Sequence, residues 1–290
     1  ENIKKIDTKS GKESILVTLE EVNEALKNGE MPYKLTGHIK PLRTLMAASL
    51  PWGDRNVITF TQYDDRTPGQ KYMIWYDFSK KKIVNLFNLQ GEGPTNFDFC
   101  KENGYMAYTI GNDLYVAHEG DFSSMVNPKV TGNQQQEKDV VYGQAVHRNE
   151  FGIMKGTFWS PKGTYLAFYR MDQSMVTDYP QVNTTARIAE LVPDKYPMAG
   201  MTSHKVTVGI YNVKDGKTIY LQAGDPTDRY FTNISWGPDE KSVFVIELNR
   251  DQNHAQLVQY DAVSGQKIGV LYEEKHARYV EPQHPLIFLP

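Results

Sequence analysis

The chain has 290 residues, of which 40% are hydrophobic and 12% aromatic, and its 32 basic residues nearly balance 35 acidic ones for a formal net charge of −3. This composition predicts a folded globular chain with a substantial core, and it argues against nucleic-acid binding through a basic surface. The single cysteine, Cys100, excludes an internal disulfide and argues against a cysteine-based metal site.

The N-terminal segment contains the one stretch with a clear helical pattern. Thr18 and Glu21 have the spacing of a capping box, and Gly29 can end the helix that follows. Apolar residues share one face of this helix: Leu19, Val22 and Leu26. We therefore predict an N-terminal segment, residues 1–35, with a short helix.

From residue 36 to residue 290 the pattern is one of strands and tight turns. Residues 57–63 alternate in polarity and are expected to pair with residues 72–77 across a polar turn. A Gly-Asn pair joins residues 105–109 to residues 113–117, as in a β-hairpin. This region is therefore predicted to be all-β.

A short phrase recurs in this region: an aromatic residue, a tight turn, a β-rich run and a second strand. Its clearest copies are residues 158–170 and 234–261, and weaker copies begin at Leu50 and Phe97. One four-stranded sheet cannot bury both of its faces alone, so such repeats predict the stacked blades of a β-propeller. Residues 166–169, apolar on both faces, fit a sheet that is covered on two sides.

Two long stretches interrupt the repeats, at residues 127–147 and 171–204. Insertions in a repeat array usually emerge as loops on one face, which is often the binding face. The repeats also contain Trp52, Trp159 and Trp236, which we expect to pack between blades rather than to stack on a ligand.

Several kinds of functional site have no counterpart in this sequence. A Gly-x-Ser-x-Gly nucleophile elbow, a metal-binding histidine spacing and a glycine-rich phosphate loop do not occur. We therefore predict no catalytic residue, no metal site and no cofactor in this chain. No segment has the roughly 18 consecutive apolar residues that a membrane span needs, and the charged N-terminus is not a signal peptide.

Four pieces of sequence occur in a characteristic order. They are Asn-Glu-Phe-Gly at 149–152, Phe-Trp-Ser-Pro-Lys-Gly at 158–163, Leu-Ala-Phe-Tyr-Arg-Met-Asp at 166–172 and Tyr-Pro-Met-Ala-Gly at 196–200. In order and spacing, the region of about residues 140–215 resembles the dipeptidyl peptidase IV family, a branch of the prolyl oligopeptidase-type serine peptidases.

This resemblance implies that residues 36–290 form part of an eight-bladed, truncated β-propeller, with a C-terminal α/β-hydrolase domain and its Ser, Asp and His triad absent from the chain. The parent protein would be a serine exopeptidase that removes dipeptides from peptide N-termini, and this region alone would gate substrates without catalysing. Its partners would be a peptide with a free N-terminus, the missing hydrolase domain and a second copy in a homodimer. The resemblance also implies a periplasmic or secreted location.

In that family, two adjacent glutamates on an inserted stretch of the propeller hold the α-amine of the substrate. Here Glu150 matches one of the pair, Asn149 takes the place of the other, and Arg148 precedes them. A guanidinium beside Glu150 either pairs with it or repels an incoming ammonium group. The family also uses an arginine from the preceding blade to hold the substrate carbonyl, and residues 84–99 contain no arginine.

Two other classes of function stay open at this point. A propeller can act as a protein or peptide interaction module without peptidase activity, and a nucleophile elbow beyond Pro290 would distinguish the peptidase from it. A carbohydrate-binding or glycosidase propeller would need paired carboxylates in a pocket, and no such pair is identifiable. Taken alone, the charged segment around Glu150 is more typical of an ordinary solvated loop. With the resemblance included, a cap or a salt bridge of Glu150 within its own loop stays open as an equal alternative to substrate binding.

Overall fold

The computed structural model describes residues 1–31, 35–49, 56–88, 94–100, 102–118, 130 and 138–289. The chain divides into two compact units, Glu1–Pro94 with Ala117–Asn127 and Thr95–Val116 with Pro128–Pro290. Antiparallel sheets make up most of the structure, which confirms the predicted all-β class. The weak repeat at residues 50–54, with Trp52, and residues 127–129 and 131–137 of the interruption at 127–147 lie outside the described residues.

The first unit begins with a hairpin and a helix and continues into a three-stranded sheet. Its elements are β1 (Asn2–Ile6), β2 (Glu13–Thr18), α1 (Leu19–Asn28), a 3-10 helix (Leu45–Ala47), β3 (Val57–Tyr63), β4 (Lys71–Asp77) and β5 (Lys82–Asn88). β1 pairs with β2, and β3, β4 and β5 form an antiparallel meander. Val57 lies opposite Asp77 and Tyr63 opposite Lys71, so the predicted hairpin is confirmed.

The predicted helix is confirmed together with its capping residues. The Thr18 hydroxyl accepts a hydrogen bond from the Glu21 backbone N–H, and the Glu21 carboxylate accepts one from the Thr18 backbone N–H, both at 3.1 Å. The helix buries Val22, Ala25 and Leu26. At its end Gly29 has an extended conformation, and a Cβ there would collide with the carbonyl oxygen of Ala25.

The strands from residue 95 onward form three larger sheets and one ribbon. These strands are β6 (Thr95–Phe99), β7 (Tyr105–Ile110), β8 (Asp113–His118), β9 (Val140–Tyr142), β10 (Thr157–Trp159), β11 (Tyr165–Asp172), β12 (Asp178–Asn183), β13 (Glu190–Lys195), β14 (Lys205–Asn212), β15 (Thr218–Tyr220), β16 (Arg229–Trp236), β17 (Ser242–Asn249), β18 (His254–Asp261) and β19 (Lys267–Lys275). Sheet A has the order β6-β7-β8, sheet B the order β10-β11-β14-β15 with β9 also paired to β11, and sheet C the order β16-β17-β18-β19. The two clearest sequence repeats are thus confirmed as two consecutive sheets.

Sheet B is covered on both faces, as its apolar strand predicts. Ala167 and Tyr169 of β11 belong to a buried cluster that includes side chains of sheet C. Leu166 and Phe168, which point to the opposite face, pack in a second cluster with side chains of sheet A. The three sheets therefore stack in chain order, with sheet B between the other two.

Two tryptophans link neighbouring sheets. The indole N–H of Trp159 donates a 2.9 Å hydrogen bond to the carbonyl of Asp98 in sheet A. The indole N–H of Trp236 in sheet C donates one of the same length to the carbonyl of Phe158 in sheet B. Both tryptophans therefore have the packing role predicted for them.

The prediction of a loop at residues 171–204 was wrong for much of that stretch. β11 continues to Asp172, and β12 and β13 then form a two-stranded antiparallel ribbon before β14 begins. Two prolines, Pro180 and Pro193, lie directly opposite each other in this ribbon. A ribbon tolerates such a pair because residues at non-hydrogen-bonded positions need no N–H for the ladder.

Candidate functional site

The three predicted binding residues lie on one turn at the edge of sheet B. β9 and β10 pair with successive stretches of the same edge of β11. Together they take the place of a single strand, and residues 143–156 form a loop that connects them. Within this loop His147–Gly152 form a short 3-10 helix, which we call the 147–152 turn. The structure therefore places Arg148, Asn149 and Glu150 on a single short segment.

Buried side chains hold this turn on both sides. Val146 before it and Ile153 after it belong to the cluster between sheets B and C. Phe151 is 5% exposed and packs in a separate cluster with side chains of β17 and β18. The hydroxyl of Thr232, on β16, donates a 2.9 Å hydrogen bond to the carbonyl of Phe151. The backbone of the turn is thus fixed to sheet C.

The turn has an unusual backbone conformation. His147, Asn149, Phe151 and Gly152 all have positive φ angles. The glycine is required at its position because a Cβ there would lie 2.6 Å from the carbonyl oxygen of Gln283. Left-handed conformations at non-glycine residues are costly and persist where the surroundings hold them in place.

Glu150 and Asn149 are exposed, unlike the residues that anchor the turn. Neither side chain has a hydrogen bond or ion pair with any part of the chain that the structure describes. A fixed backbone therefore presents a free carboxylate beside a free amide. Both groups can accept hydrogen bonds, and the carboxylate adds charge assistance when the donor is an ammonium group.

A buried histidine pair lies next to these residues, and the sequence reasoning missed it. Nδ1 of His147 and Nε2 of His204 lie 2.8 Å apart, and the two rings stack with centroids 4.6 Å apart. The ring of Tyr230 meets His147 edge-on. Burial, together with the nearby His204, holds the pKa of His147 well below its usual range.

Other polar residues of the second unit have ordinary structural roles. The Asp172 carboxylate accepts a hydrogen bond from the Ser174 backbone N–H, as in many turns. His254 contacts the exposed Glu273 at 2.6 Å. Across the described ranges, no three histidine, cysteine, aspartate or glutamate side chains are grouped so as to hold a metal ion.

No helix among the described residues has both the length and the apolar character needed to cross a membrane.

The family model described as the dipeptidyl peptidase IV N-terminal region matches residues 53–290. The chain belongs to this family. The resemblance found in residues 140–215 is thereby confirmed and extends over most of the chain.

Several dipeptidyl aminopeptidases resemble the chain over part of their length. A probable dipeptidyl-aminopeptidase B of Phaeosphaeria nodorum is 28% identical over 216 residues, which are 66% of this chain and 23% of that protein. The dipeptidyl aminopeptidase B of Saccharomyces cerevisiae is 23% identical over 195 residues, 64% of this chain and 23% of that protein. The chain thus spans a minor part of these relatives.

Two solved structures also resemble the chain over nearly all of its length. The crystal structure of a dipeptidyl aminopeptidase IV candidate from Bacteroides ovatus matches with a TM-score of 0.81 and 49% identity, covering 100% of this chain and 37% of that one. Dipeptidyl peptidase 4 from Porphyromonas gingivalis matches in fold with a TM-score of 0.68 at 22% identity, covering 97% and 38%. The predicted fold class, the all-β sheets of a propeller with a short helix, is confirmed.

Proposed function

We propose that this chain is the substrate-gating region of a dipeptidyl peptidase IV-like serine exopeptidase, and that Glu150 binds the α-ammonium group of a peptide substrate. The observation that carries this proposal is the free, exposed carboxylate of Glu150 on a turn that the buried side chains of Val146, Phe151 and Ile153 anchor. Membership in the family supports the peptidase class.

The exposed position of Glu150 also indicates what else the site needs. An ion pair in open solvent contributes roughly 0 to 1 kcal/mol, which is too little to select substrates. The same pair becomes much stronger when a second surface excludes water from it. We propose that the hydrolase domain supplies this surface together with the catalytic triad, so that the region described here is inactive alone.

Asn149 and Arg148 weaken the amine site relative to a pair of glutamates. An amide oxygen at Asn149 accepts a hydrogen bond but lacks the charge, and a charged hydrogen bond is worth about 1.5 to 3 kcal/mol. Amine capture should therefore be about tenfold to a hundredfold weaker than with two carboxylates. The positive charge of Arg148 lowers the affinity further, whether it pairs with Glu150 or repels the ammonium group.

The decisive experiment measures KM and kcat of the full-length protein, with and without the substitution Glu150→Gln, on chromogenic Xaa-Pro and Xaa-Ala dipeptides. We expect KM for substrates with a free amine to rise about tenfold to a hundredfold, with kcat little changed. Substrates with an acetylated N-terminus should be hydrolysed poorly by both proteins. The matched control is Glu274→Gln, because Glu274 is an exposed glutamate on β19, remote in sequence from the turn.

An unchanged KM in Glu150→Gln would remove Glu150 from the amine site. Absence of any peptidase activity in the full-length protein would instead favour an interaction module.

The proposal extends to the partners and location of the whole protein. Exposed apolar side chains on the β12–β13 ribbon, such as Val182 and Leu191, support self-association into a homodimer. Static light scattering of the full-length protein measures this directly. A periplasmic or secreted location agrees with an exopeptidase that acts on external peptides, and cell fractionation tests it.

A further inference from the structure

A polar cavity of about 450 Å³ lies at the end of sheet C where β17 is joined to β18 and where β19 ends. We call it the 249–277 pocket, and its lining residues are Asn249, Asn253, His254, Lys275, His276 and Ala277. Leu248 and Ala255, which flank the loop between β17 and β18, pack with Phe151. The pocket therefore lies at the same end of sheet C as the 147–152 turn.

Hydrogen bonds within the β17–β18 loop fix the direction in which two asparagine amides point. Oδ1 of Asn249 accepts the backbone N–H groups of Asn253 and His254, both at 3.0 Å. Nδ2 of Asn249 donates to Oδ1 of Asn253 at 2.8 Å, so both amide oxygens already accept hydrogen bonds. Nδ2 of Asn253 has no partner among the residues that the structure describes, and it keeps both of its N–H donors for a ligand.

The ring of His276 has a fixed tautomer for a similar reason. Its Nδ1 accepts the backbone N–H of Arg278 at 3.1 Å, so the proton of the neutral ring lies on Nε2. The backbone N–H of His276 donates to the carbonyl of Asn253 at 3.0 Å, which joins the segment after β19 to the β17–β18 loop. Within the described part of the chain Nε2 of His276 has no partner, so it is a second free donor.

Lys275 supplies the positive charge of the pocket. Its Nζ lies 3.1 Å from Oε1 of Glu273, which also accepts hydrogen bonds from His254 at 2.6 Å and from Gln256 at 3.1 Å. The hydrogen bond from Lys275, together with those from His254 and Gln256, lowers the pKa of Glu273 to about 2. An ammonium group has three N–H donors, so a single contact with Glu273 leaves the others available.

The free polar groups of the pocket are thus almost all donors. Asn253, Lys275 and His276 each offer at least one N–H, whereas the oxygens of both asparagines and Nδ1 of His276 already accept hydrogen bonds. Nδ1 of His254 is a free acceptor only while its ring is neutral, because Nε2 donates to Glu273. A sugar hydroxyl would need acceptors as well as donors, but an ionised carboxylate only accepts.

We propose that the 249–277 pocket binds a carboxylate group, carried either by a peptide, at its C-terminus or on an acidic side chain, or by a small free carboxylic acid. Nδ2 of Asn253 and Nε2 of His276 donate hydrogen bonds to the carboxylate, and Nζ of Lys275 adds charge. Lys275 and His276 are exposed, so water screens the interaction and the affinity is modest. The inference does not depend on the role of Glu150.

The experiment is isothermal titration calorimetry of the full-length protein with three probes: N-acetyl-Ala-Ala-Ala, its C-terminal amide and succinate. The acetyl group leaves the peptides without an amine for Glu150 to bind. Asn253→Asp keeps the oxygen that accepts from Asn249, but it replaces the free donor by a charged acceptor. Lys275→Gln removes the positive charge, and its matched control is Lys267→Gln, at an exposed lysine near the other end of β19.

We expect a carboxylate probe to bind with a Kd of about 1 to 10 mM. Asn253→Asp should weaken this binding by about tenfold or more and Lys275→Gln by about threefold to tenfold, while Lys267→Gln should leave it unchanged. If the natural ligand is a peptide, N-acetyl-Ala-Ala-Ala should bind more tightly than succinate and its amide should not bind. If the natural ligand is a small free acid, succinate should bind more tightly than the peptide.

The inference is overturned if neither carboxylate binds at about 20 mM, or if the peptide amide binds as tightly as the peptide acid. It is also overturned if Asn253→Asp and Lys275→Gln both bind like the unmodified protein. Should Asn253→Asp fail to fold, Lys275→Gln, at an exposed side chain, decides in its place. Glu150→Gln should leave carboxylate binding unchanged, so failure of the amine site and failure of this pocket are distinguishable.

Discussion

The 147–152 turn and the β12–β13 ribbon both interrupt sheet B, but they are built in opposite ways. The turn depends on the body of the protein, through the buried ring of Phe151 and the hydrogen bond from Thr232. The ribbon depends on itself, because its two strands satisfy each other's backbone groups. Its apolar side chains stay in solvent, with Val182 55% and Leu191 65% exposed.

This difference bears on which insertion can bind a small charged group with precision. Binding and catalysis need a group held within a fraction of an ångström of its working position, and that requires supports on a rigid scaffold. The turn has such supports on sheet C, whereas most side chains of the two ribbon strands are exposed. Substitutions at the supports of the turn should therefore alter both stability and KM, and matched substitutions in the ribbon should have much smaller effects on both.

The largest effect is expected from Phe151→Ala. Removal of this buried ring should reduce the free energy of unfolding by about 3 to 5 kcal/mol, because it leaves a cavity in the cluster with Leu248. The matched ribbon substitution is Val192→Ala, at a side chain that is 51% exposed, and it should cost less than about 0.5 kcal/mol. Urea unfolding of both variants measures the difference, and equal losses would show that the turn is not anchored as described.

The second prediction separates a close backbone contact from a strained conformation. Gly152 and Gly200 both have a φ of 75°, but a Cβ meets the Gln283 carbonyl at the first position and nothing within 4 Å at the second. In both alanine variants the left-handed conformation should lower the free energy of unfolding by about 1 to 2 kcal/mol. Gly152→Ala should lose about 1 to 3 kcal/mol more, since the backbone must shift to relieve the clash.

The measurement is the difference in unfolding free energy between the two alanine variants, together with KM for a free-amine dipeptide. Only Gly152→Ala should raise KM, because only that substitution moves the turn. Equal destabilisation would mean that the approach of residue 283 is not tight in solution.

The parts of this molecule that could be predicted from the sequence are those fixed by local rules. The capping box of Thr18 and Glu21 spans one helical turn, and the hairpin of β3 and β4 follows from alternation and a polar turn. The apolar run at 166–169 likewise indicated a sheet covered on both faces. Each of these signals lies within a few residues of the element that it predicts.

The supports of the candidate site could not be predicted, because they join distant parts of the chain. His147 and His204 are 57 residues apart and Phe151 and Thr232 are 81 apart, and sheet stacking alone brings them together. The ribbon was missed for another reason. In a sequence, prolines such as Pro180 and Pro193 favour turns over strands, and only the structure shows that the two lie opposite each other in paired strands. Glu150 and Asn149 were named from the family resemblance, and their role stays a prediction.

The smallest effect tests the hydrogen bond from Thr232 to the Phe151 carbonyl. Thr232→Val keeps the shape of the side chain but removes the donor, so it should cost about 1 kcal/mol and raise KM a few-fold by loosening the turn. The matched ribbon variant is Thr185→Val, which removes a hydroxyl bonded to Asn183 at an exposed tip and should cost less than about 0.5 kcal/mol. Urea unfolding and KM for a free-amine dipeptide measure both effects. If Thr232→Val lost stability without a change in KM, the hydrogen bond would stabilise sheet C and not the position of Glu150, and the turn would owe its placement to its buried side chains.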